Sequence, residues 1–117
     1  MHSIKRYVLF LAPQKVLVDW SNYIFEGTNT DAPNPLEHDN ADVFLIPQFD
    51  CIEDAMEWLE ANYETFFERQ LELWCTDPEQ WPKDRTWGMF QKWFYVSIQS
   101  CVYDALGSVP ILKEESF

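Results

Sequence analysis

Glutamates recur at helical spacing in the stretch DCIEDAMEWLEANYETFFERQLELWC (residues 50–75), and their pattern is the closest approach to a chemical site in this chain. Four of them lie four residues apart: Glu60, Glu64, Glu68 and Glu72. On a helix this spacing forms one row of carboxylates, which could bind cations. Carboxylate metal sites in helix bundles use Glu-x-x-His pairs, however, and the stretch contains no histidine. We therefore expect no metal and no cofactor.

Two interpretations of the glutamate row remain. It is either a docking face for a basic partner, which long-range attraction would guide to it, or a solvated face that keeps the chain soluble. Four tryptophans follow the row around a turn that contains two prolines: Trp74, Trp81, Trp87 and Trp93. Trp is enriched at the energetic centres of interfaces, although such rings also commonly pack the core. The predicted partner-binding residues are Glu57, Glu60, Glu64, Glu68, Trp74, Trp81 and Trp87.

Other polar residues give weaker signals. His38 stands between Glu37 and Asp39, but one histidine without a second fixed ligand does not define a site. No phosphate loop, G-x-S-x-G or H-E-x-x-H occurs, so no catalytic residue is assigned. The alternative function is a small enzyme or ligand-binding protein, with a Trp-lined pocket near Asp19, Arg85 and Asp104.

The three cysteines indicate a reducing compartment. Cys51 and Cys75 flank the predicted long helix, whose rise would separate them by roughly 36 Å, far beyond disulfide reach. Cys101 lies in an apolar context without a nearby histidine, so it is expected to be inert. Free cysteines favour a cytoplasmic protein.

The elements that must position these residues can be predicted from periodicity. We expect a strand over 5–12, a helix or a strand continuation over 15–25, a long surface loop over 27–40 and a strand over 42–49. Pro47 cannot donate a ladder hydrogen bond, which indicates either an edge position for this strand or its end. The long helix should begin with Asp50 as its N-cap and Glu53 completing a capping box. Its predicted inward residues are Ile52, Ala55, Met56, Leu59, Tyr63, Phe66, Phe67, Gln70 and Trp74.

The C-terminal part is harder to assign. Residues 86–93 are predicted to form a short helix, while 94–105 fit either a strand or a helix, and the alternation of apolar side chains favours the strand. Residues 113–117 should fray. The fold class is α+β in one domain over 1–117. It has a three-stranded, mainly antiparallel or mixed sheet, covered on one face by the long acidic helix and a shorter helix.

Charge narrows the range of partners. The net charge is −12, and residues 37–79 account for all of it, with thirteen of the twenty acids and one of the eight bases. Direct nucleic-acid binding is not expected, because phosphate contacts need Lys and Arg. An acidic mimic of nucleic acid is a weaker third possibility. No run of about 18 apolar residues exists to span a membrane.

Several short motifs carry a resemblance that covers most of the chain: Asp19-Trp20, Leu45-Ile46-Pro47, Trp81-Pro82, Trp93-Phe94, and Ser100 with Val102 and Asp104. With the N-terminal strand and the acidic helix, they resemble a family of small bacterial proteins known mainly as uncharacterised. The resemblance implies a bacterial cytoplasmic protein and no particular activity. Such relatives should have a histidine just before Ser100, where this chain has Gln99. Acid–base chemistry at that position is therefore not expected.

These observations predict a protein-interaction module of the adaptor, inhibitor or immunity type, rather than an enzyme. It would present the acidic helix and the neighbouring tryptophans to a basic protein.

Overall fold

The computed structural model describes residues 1–114 and contains five strands and three α-helices in that range. In chain order they are β1 (His2–Ser3), β2 (Tyr7–Pro13), α1 (Lys15–Ile24), β3 (Asp42–Ile46), α2 (Ile52–Trp74), α3 (Trp87–Trp93), β4 (Phe94–Gln99) and β5 (Tyr103–Asp104), with a 3₁₀ turn at Pro78–Gln80 between α2 and α3. The predicted α+β class is confirmed. Part of the predicted frayed tail, 115–117, lies outside the described residues.

The main sheet is antiparallel and has the order β3-β2-β4. β2 is central because its uninterrupted apolar run suits a strand buried on both faces. Leu9 pairs with Phe44 of β3 and Ile98 of β4, which places these side chains on one face. β3 is an edge strand and ends one residue before Pro47, as the missing amide hydrogen of proline requires.

A second, two-stranded sheet was not predicted. β1 pairs antiparallel with β5, and the Ile4 amide donates to the Val102 carbonyl at 2.7 Å beside it. Each strand is two residues long, too short for any alternation of side chains to show in the sequence. The preference for a strand after α3 is confirmed by β4 at residues 94–99.

Aromatic rings connect the helices to the sheet, with centroids 5.0–5.9 Å apart. One run joins Tyr7, Phe49, Trp58, Phe66 and Phe44. The other joins Trp87, Tyr63, Phe90, Phe67, Phe94, Trp93 and Trp20. Ring pairs of this geometry stabilise the fold beyond the area that they bury.

The start of α2 differs from the prediction. Its N-cap is Cys51 rather than Asp50, and no side chain caps it through a hydrogen bond, so the expected Asp50–Glu53 capping box is wrong. Ile52 in the first turn is 39% exposed, which corrects its predicted inward position, and Leu71 is fully buried although it was not predicted to be. Glu53 and Asp54 still place negative charge in the first turn, where the helix dipole favours it.

The segment between α1 and β3 contains neither helix nor strand. Asparagine side chains organise it. Asn22 donates to the Thr30 carbonyl, and Asn40 donates to the Asn34 carbonyl. The first bond ties the loop to α1, and the second joins two parts of the loop itself. No helix among residues 1–114 is long and apolar enough to cross a membrane.

Candidate functional site

Helix α2 buries one side and exposes the other. Its buried residues are Ala55, Leu59, Phe67, Gln70 and Leu71. At about 100° per residue, Glu57, Glu60, Glu64 and Glu68 fall within one sector of about 80°, and Glu53, Asp54 and Glu72 are the other acids of the helix. All seven are exposed. We refer to this set as the acidic face. It runs along a helix of 23 residues, about 34 Å long.

Arg85 contacts the middle of the acidic face. Its Nη2 lies 2.6 Å from Glu68 Oε1 and 3.2 Å from Glu64 Oε2, and its Nη1 donates to the Pro82 carbonyl at 2.9 Å. The arginine side chain is only 14% exposed, whereas the two glutamates are about half exposed. Its guanidinium carbon also lies 6.0 Å from the centre of the Phe67 ring. One guanidinium is thus held by two carboxylates and an aromatic ring.

Tyr63 fixes the backbone at Arg85. Its hydroxyl donates to the Arg85 carbonyl at 3.1 Å. Desolvation by burial, followed by the nearby Glu64 carboxylate, raises the pKa of Tyr63. The phenol therefore keeps its proton, and with it this hydrogen bond, beyond the pH at which an ordinary tyrosine ionises.

The predicted tryptophans are half-buried and pack against the core. Trp81 donates from Nε1 to the Cys75 carbonyl at 2.8 Å, which ties the proline-containing turn to the end of α2. Trp87 stacks on Phe90 with an interplanar angle of 16° and also contacts Tyr63. Trp74 lies in the last turn of α2. These contacts give all three rings a structural role, while the four predicted glutamates share one exposed face.

The three residues of the alternative pocket each have a partner elsewhere. Asp19 pairs with Lys15 at 2.7 Å, Arg85 pairs with the acidic face, and Asp104 Oδ1 accepts from the Leu106 amide at 2.8 Å. None of these three residues lines any of four cavities of about 190–290 Å³ found among residues 1–114. His38 is exposed in the loop before β3.

Cys51 and Cys101 are exposed and Cys75 is buried, and all three are free. Cys101 lines a cavity together with the apolar residues Val8, Phe10 and Val102, and its predicted inertness stays a prediction. Two effects oppose each other at Cys51: the Asp54 backbone N–H lowers the pKa of the thiol, but desolvation and the acids Glu53 and Asp54 raise it more, so the net pKa is raised. Among residues 1–114, no three His, Cys, Asp or Glu side chains are grouped to hold a metal ion.

Sequence reasoning did not place Arg85 on the acidic face. The residue is 21 positions from Glu64 and 17 from Glu68, and no helical periodicity links the turn that contains it to α2.

No family model, curated protein or solved structure matches this chain.

Proposed function

We propose that this chain is a protein-interaction module, of the adaptor, inhibitor or immunity type, whose acidic face binds a basic partner. The observation that carries this proposal is the seating of Arg85 across Glu64 and Glu68. Within its own fold the face already binds a guanidinium by charge-assisted hydrogen bonds, the chemistry with which it would bind the arginines of another protein.

The excess of carboxylates on the acidic face over the one positive charge of Arg85 supports the same function. Arg85 offsets one charge of a face that carries seven carboxylates, and like charges four residues apart on a helix repel by about 0.2–0.5 kcal/mol per pair. A basic partner would relieve this repulsion, and attraction at long range would speed its association.

The proposal treats α2 as a rigid platform that covers one face of the sheet. Ring contacts support that placement, since Phe66 meets Phe44 of β3 at 5.2 Å and Phe67 meets Phe94 of β4 at 5.4 Å. A platform fixed in this way holds its carboxylates in place before the partner arrives, which reduces the entropy lost on binding. A bacterial cytoplasm is the proposed setting, where the free cysteines would stay reduced.

Capture from a cell lysate at two salt concentrations tests the proposal. The immobilised protein should retain a basic protein at about 0.05 M NaCl and lose it at about 0.5 M, because salt screens exposed charges. The variant Glu57→Lys/Glu60→Lys should fail to retain it. These two positions are chosen because they leave the Arg85 contacts with Glu64 and Glu68 intact.

The matched control is Glu26→Lys/Asp31→Lys, which changes the net charge equally at two exposed acids outside α2. It should retain the partner as well as the unmodified chain does. Absence of any salt-sensitive partner, or an equal loss in both variants, would contradict a role for the acidic face.

A further inference from the structure

The main sheet has two faces, and the helices pack on one of them. The core cluster on that face joins Leu9 and Leu11 of β2 to buried residues of α1, α2 and α3. The alternate strand positions lie on the opposite face, because successive side chains of a strand point to opposite sides of the sheet. We refer to this opposite face as the outer sheet face. Its residues are Val8, Phe10, Val43, Leu45, Tyr95, Ser97 and Gln99.

The outer sheet face is apolar where a face in water is usually polar. An antiparallel sheet that is solvated on one side alternates buried apolar and exposed polar residues along each strand. The strands β2 and β3 lack this alternation, because Val8, Phe10, Val43 and Leu45 are all apolar. Val43 and Leu45 are nevertheless exposed. This pattern is typical of a sheet face that packs against another surface.

Two neighbouring cavities lie on the outer sheet face, with volumes of about 280 and 290 Å³. Phe10 and Gln99 line both of them, so the cavities adjoin. Leu36 lines the first cavity and Tyr103 lines the second, and both of these side chains are exposed. The face therefore carries exposed apolar side chains beside cavities, a relief that can be complementary to a second copy of itself.

The exposed apolar area of this face approaches that of a stable interface. Five side chains on the face or at its border are between 41% and 84% exposed: Leu36, Val43, Leu45, Tyr95 and Tyr103. Together they expose roughly 550 Å², whereas an interface of standard size buries about 800 Å² per partner. The exposed residues Gln99 and Cys101 extend the same surface.

The distribution of charge favours a second copy as the partner. The strand positions of the face include no Asp, Glu, Lys or Arg, so two such faces can meet without burying an unpaired charge. The acids of α2 lie beyond the helix-covered face of the sheet. In a face-to-face dimer the two α2 helices would be roughly 30 Å apart, well beyond the Debye length of about 8 Å at physiological salt.

We propose that two copies of this chain associate through their outer sheet faces, related by a two-fold axis, with Val43, Leu45 and Tyr95 in the contact. The dimer would have four layers, with the two sheets in the middle and the helices of each copy outside. The acidic faces would stay on the two outer sides and remain accessible. The dimer therefore does not depend on whether the acidic face binds a basic protein.

Sedimentation equilibrium between about 1 and 500 µM tests the association, and we expect a monomer–dimer equilibrium with a dissociation constant in the micromolar range. A reducing agent prevents disulfides between the exposed Cys51 and Cys101 thiols. Raising NaCl from about 0.05 to 0.5 M should not weaken the dimer, because salt screens the repulsion between two acidic chains and leaves apolar contacts in place. Capture of a basic protein by the acidic face should show the opposite salt dependence.

The decisive variant is Val43→Lys/Leu45→Lys, which places two charges on the outer sheet face while making the chain less acidic. Repulsion at long range falls in this variant, so weaker association can come only from the changed face. Each substitution occurs twice in a two-fold interface, and we expect the dissociation constant to rise about a hundred-fold. The matched control is Val16→Lys/Leu73→Lys, which makes the same change at exposed apolar residues of α1 and α2 and should dimerise like the unmodified protein.

A measurement without substitutions keeps the test valid if a thermal melt shows that the Val43→Lys/Leu45→Lys variant is unfolded. In an equimolar mixture of ¹³C-labelled and unlabelled protein, isotope-filtered NOEs should connect the Val43 and Leu45 methyl groups to the unlabelled copy.

Three results would overturn the proposal: a monomer at every concentration up to about 500 µM, an equal loss of association in both lysine variants, or intermolecular NOEs confined to the helices. A monomer would leave the outer sheet face to an apolar partner other than this chain. None of these results bears on the lysate capture, because that experiment alters acids of α2 and leaves the outer sheet face unchanged.

Discussion

Arg85 shows how a single residue combines structural and electrostatic roles. Its guanidinium bridges Glu64 and Glu68 and lies near the Phe67 ring, while its backbone carbonyl accepts from Tyr63. Ion pairs between exposed residues contribute little to stability, but the side chain of this arginine is only 14% exposed. The residue therefore links the turn before α3 to α2 while reducing the repulsion along the acidic face.

Replacement of this arginine provides the first prediction. Arg85→Met should lower the free energy of unfolding by about 1–2 kcal/mol, because two ion pairs and the bond to the Pro82 carbonyl are lost. Lys83→Met is the control, since it removes the same charge from an exposed side chain with one long contact of 3.4 Å. Urea denaturation of both variants measures the difference. Equal losses would show that the bridge adds nothing specific.

Cys51 is the second residue where opposing effects can be compared. A thiol at a helix N-terminus usually ionises more easily, and the Asp54 backbone N–H indeed lowers its pKa. Desolvation and the Glu53 and Asp54 acids raise the pKa by more, so the thiol stays protonated at neutral pH. Cys51 is therefore exposed to solvent but is a poor nucleophile, because the thiolate is the reactive form and the raised pKa disfavours it.

The rate of Cys51 alkylation should consequently rise with pH around a midpoint above that of an ordinary thiol, because a raised pKa moves thiolate formation to higher pH. Iodoacetamide labelling, quantified for each cysteine-containing peptide by mass spectrometry, measures the profile. Glu53→Gln/Asp54→Asn should shift the midpoint downward. A midpoint at or below the ordinary value in the unmodified protein would mean that the helix terminus outweighs the acids.

The elements differ in how far the sequence could predict them. The strand β2 and the helix α2 follow from local patterns, a continuous apolar run and a stripe that recurs every three to four residues. The exposed glutamates followed from the same periodicity. Contacts between distant segments were beyond that reasoning. They include the Arg85 bridge, the Gln70–Asp42 bond across 28 residues and the pairing of β1 with β5.

The capping error at α2 has the same origin. Asp50 with Glu53 matches a common start signal, but the chain enters the helix one residue later, with Cys51 in extended conformation and no side-chain cap. A short sequence motif indicates where a helix prefers to begin. The residue at which it actually begins also depends on the contacts that the neighbouring segments make. Phe49, just before it, contacts both Tyr7 and Trp58.

The β1–β5 sheet depends on a close approach between chain segments that lie far apart. Gly107 lies against the His2 ring so closely that a Cβ at this position would overlap the imidazole. Gly107→Ala should therefore displace His2 and loosen the sheet. Hydrogen exchange of the Ile4 amide, which donates to the Val102 carbonyl, should become faster.

The double variant His2→Ala/Gly107→Ala distinguishes this clash from a general effect of alanine. It removes the ring that the new methyl group would meet, so exchange at Ile4 should be no faster than in His2→Ala alone. If Gly107→Ala accelerates exchange equally in both backgrounds, the contact with His2 is not the cause.

At the scale of the whole molecule, charge and apolar surface are separated. Acids concentrate on α2 and its flanking segments. One face of the main sheet carries Val8 of β2, Leu45 of β3 and Tyr95 of β4. Between Val8 and Ala12, the paired strand positions on this face include no Asp, Glu, Lys or Arg. The separation costs stability, because like charges on one helix repel one another. It also creates a strongly negative surface that can attract a basic partner.

This cost of repulsion can be measured. Added NaCl should raise the melting temperature by roughly 4 °C, because screening removes about 1 kcal/mol of repulsion among the glutamates of α2. Glu60→Gln/Glu72→Gln should melt higher than the unmodified protein at low salt and gain less from added salt. Glu26→Gln/Asp31→Asn, which removes the same charge outside α2, should keep most of the salt response.

A melting temperature that falls with salt would mean that the Arg85 bridge and other attractive pairs outweigh the repulsion. In that case the acidic face would already be compensated within the fold, and the electrostatic reason for it to bind a basic partner would be lost.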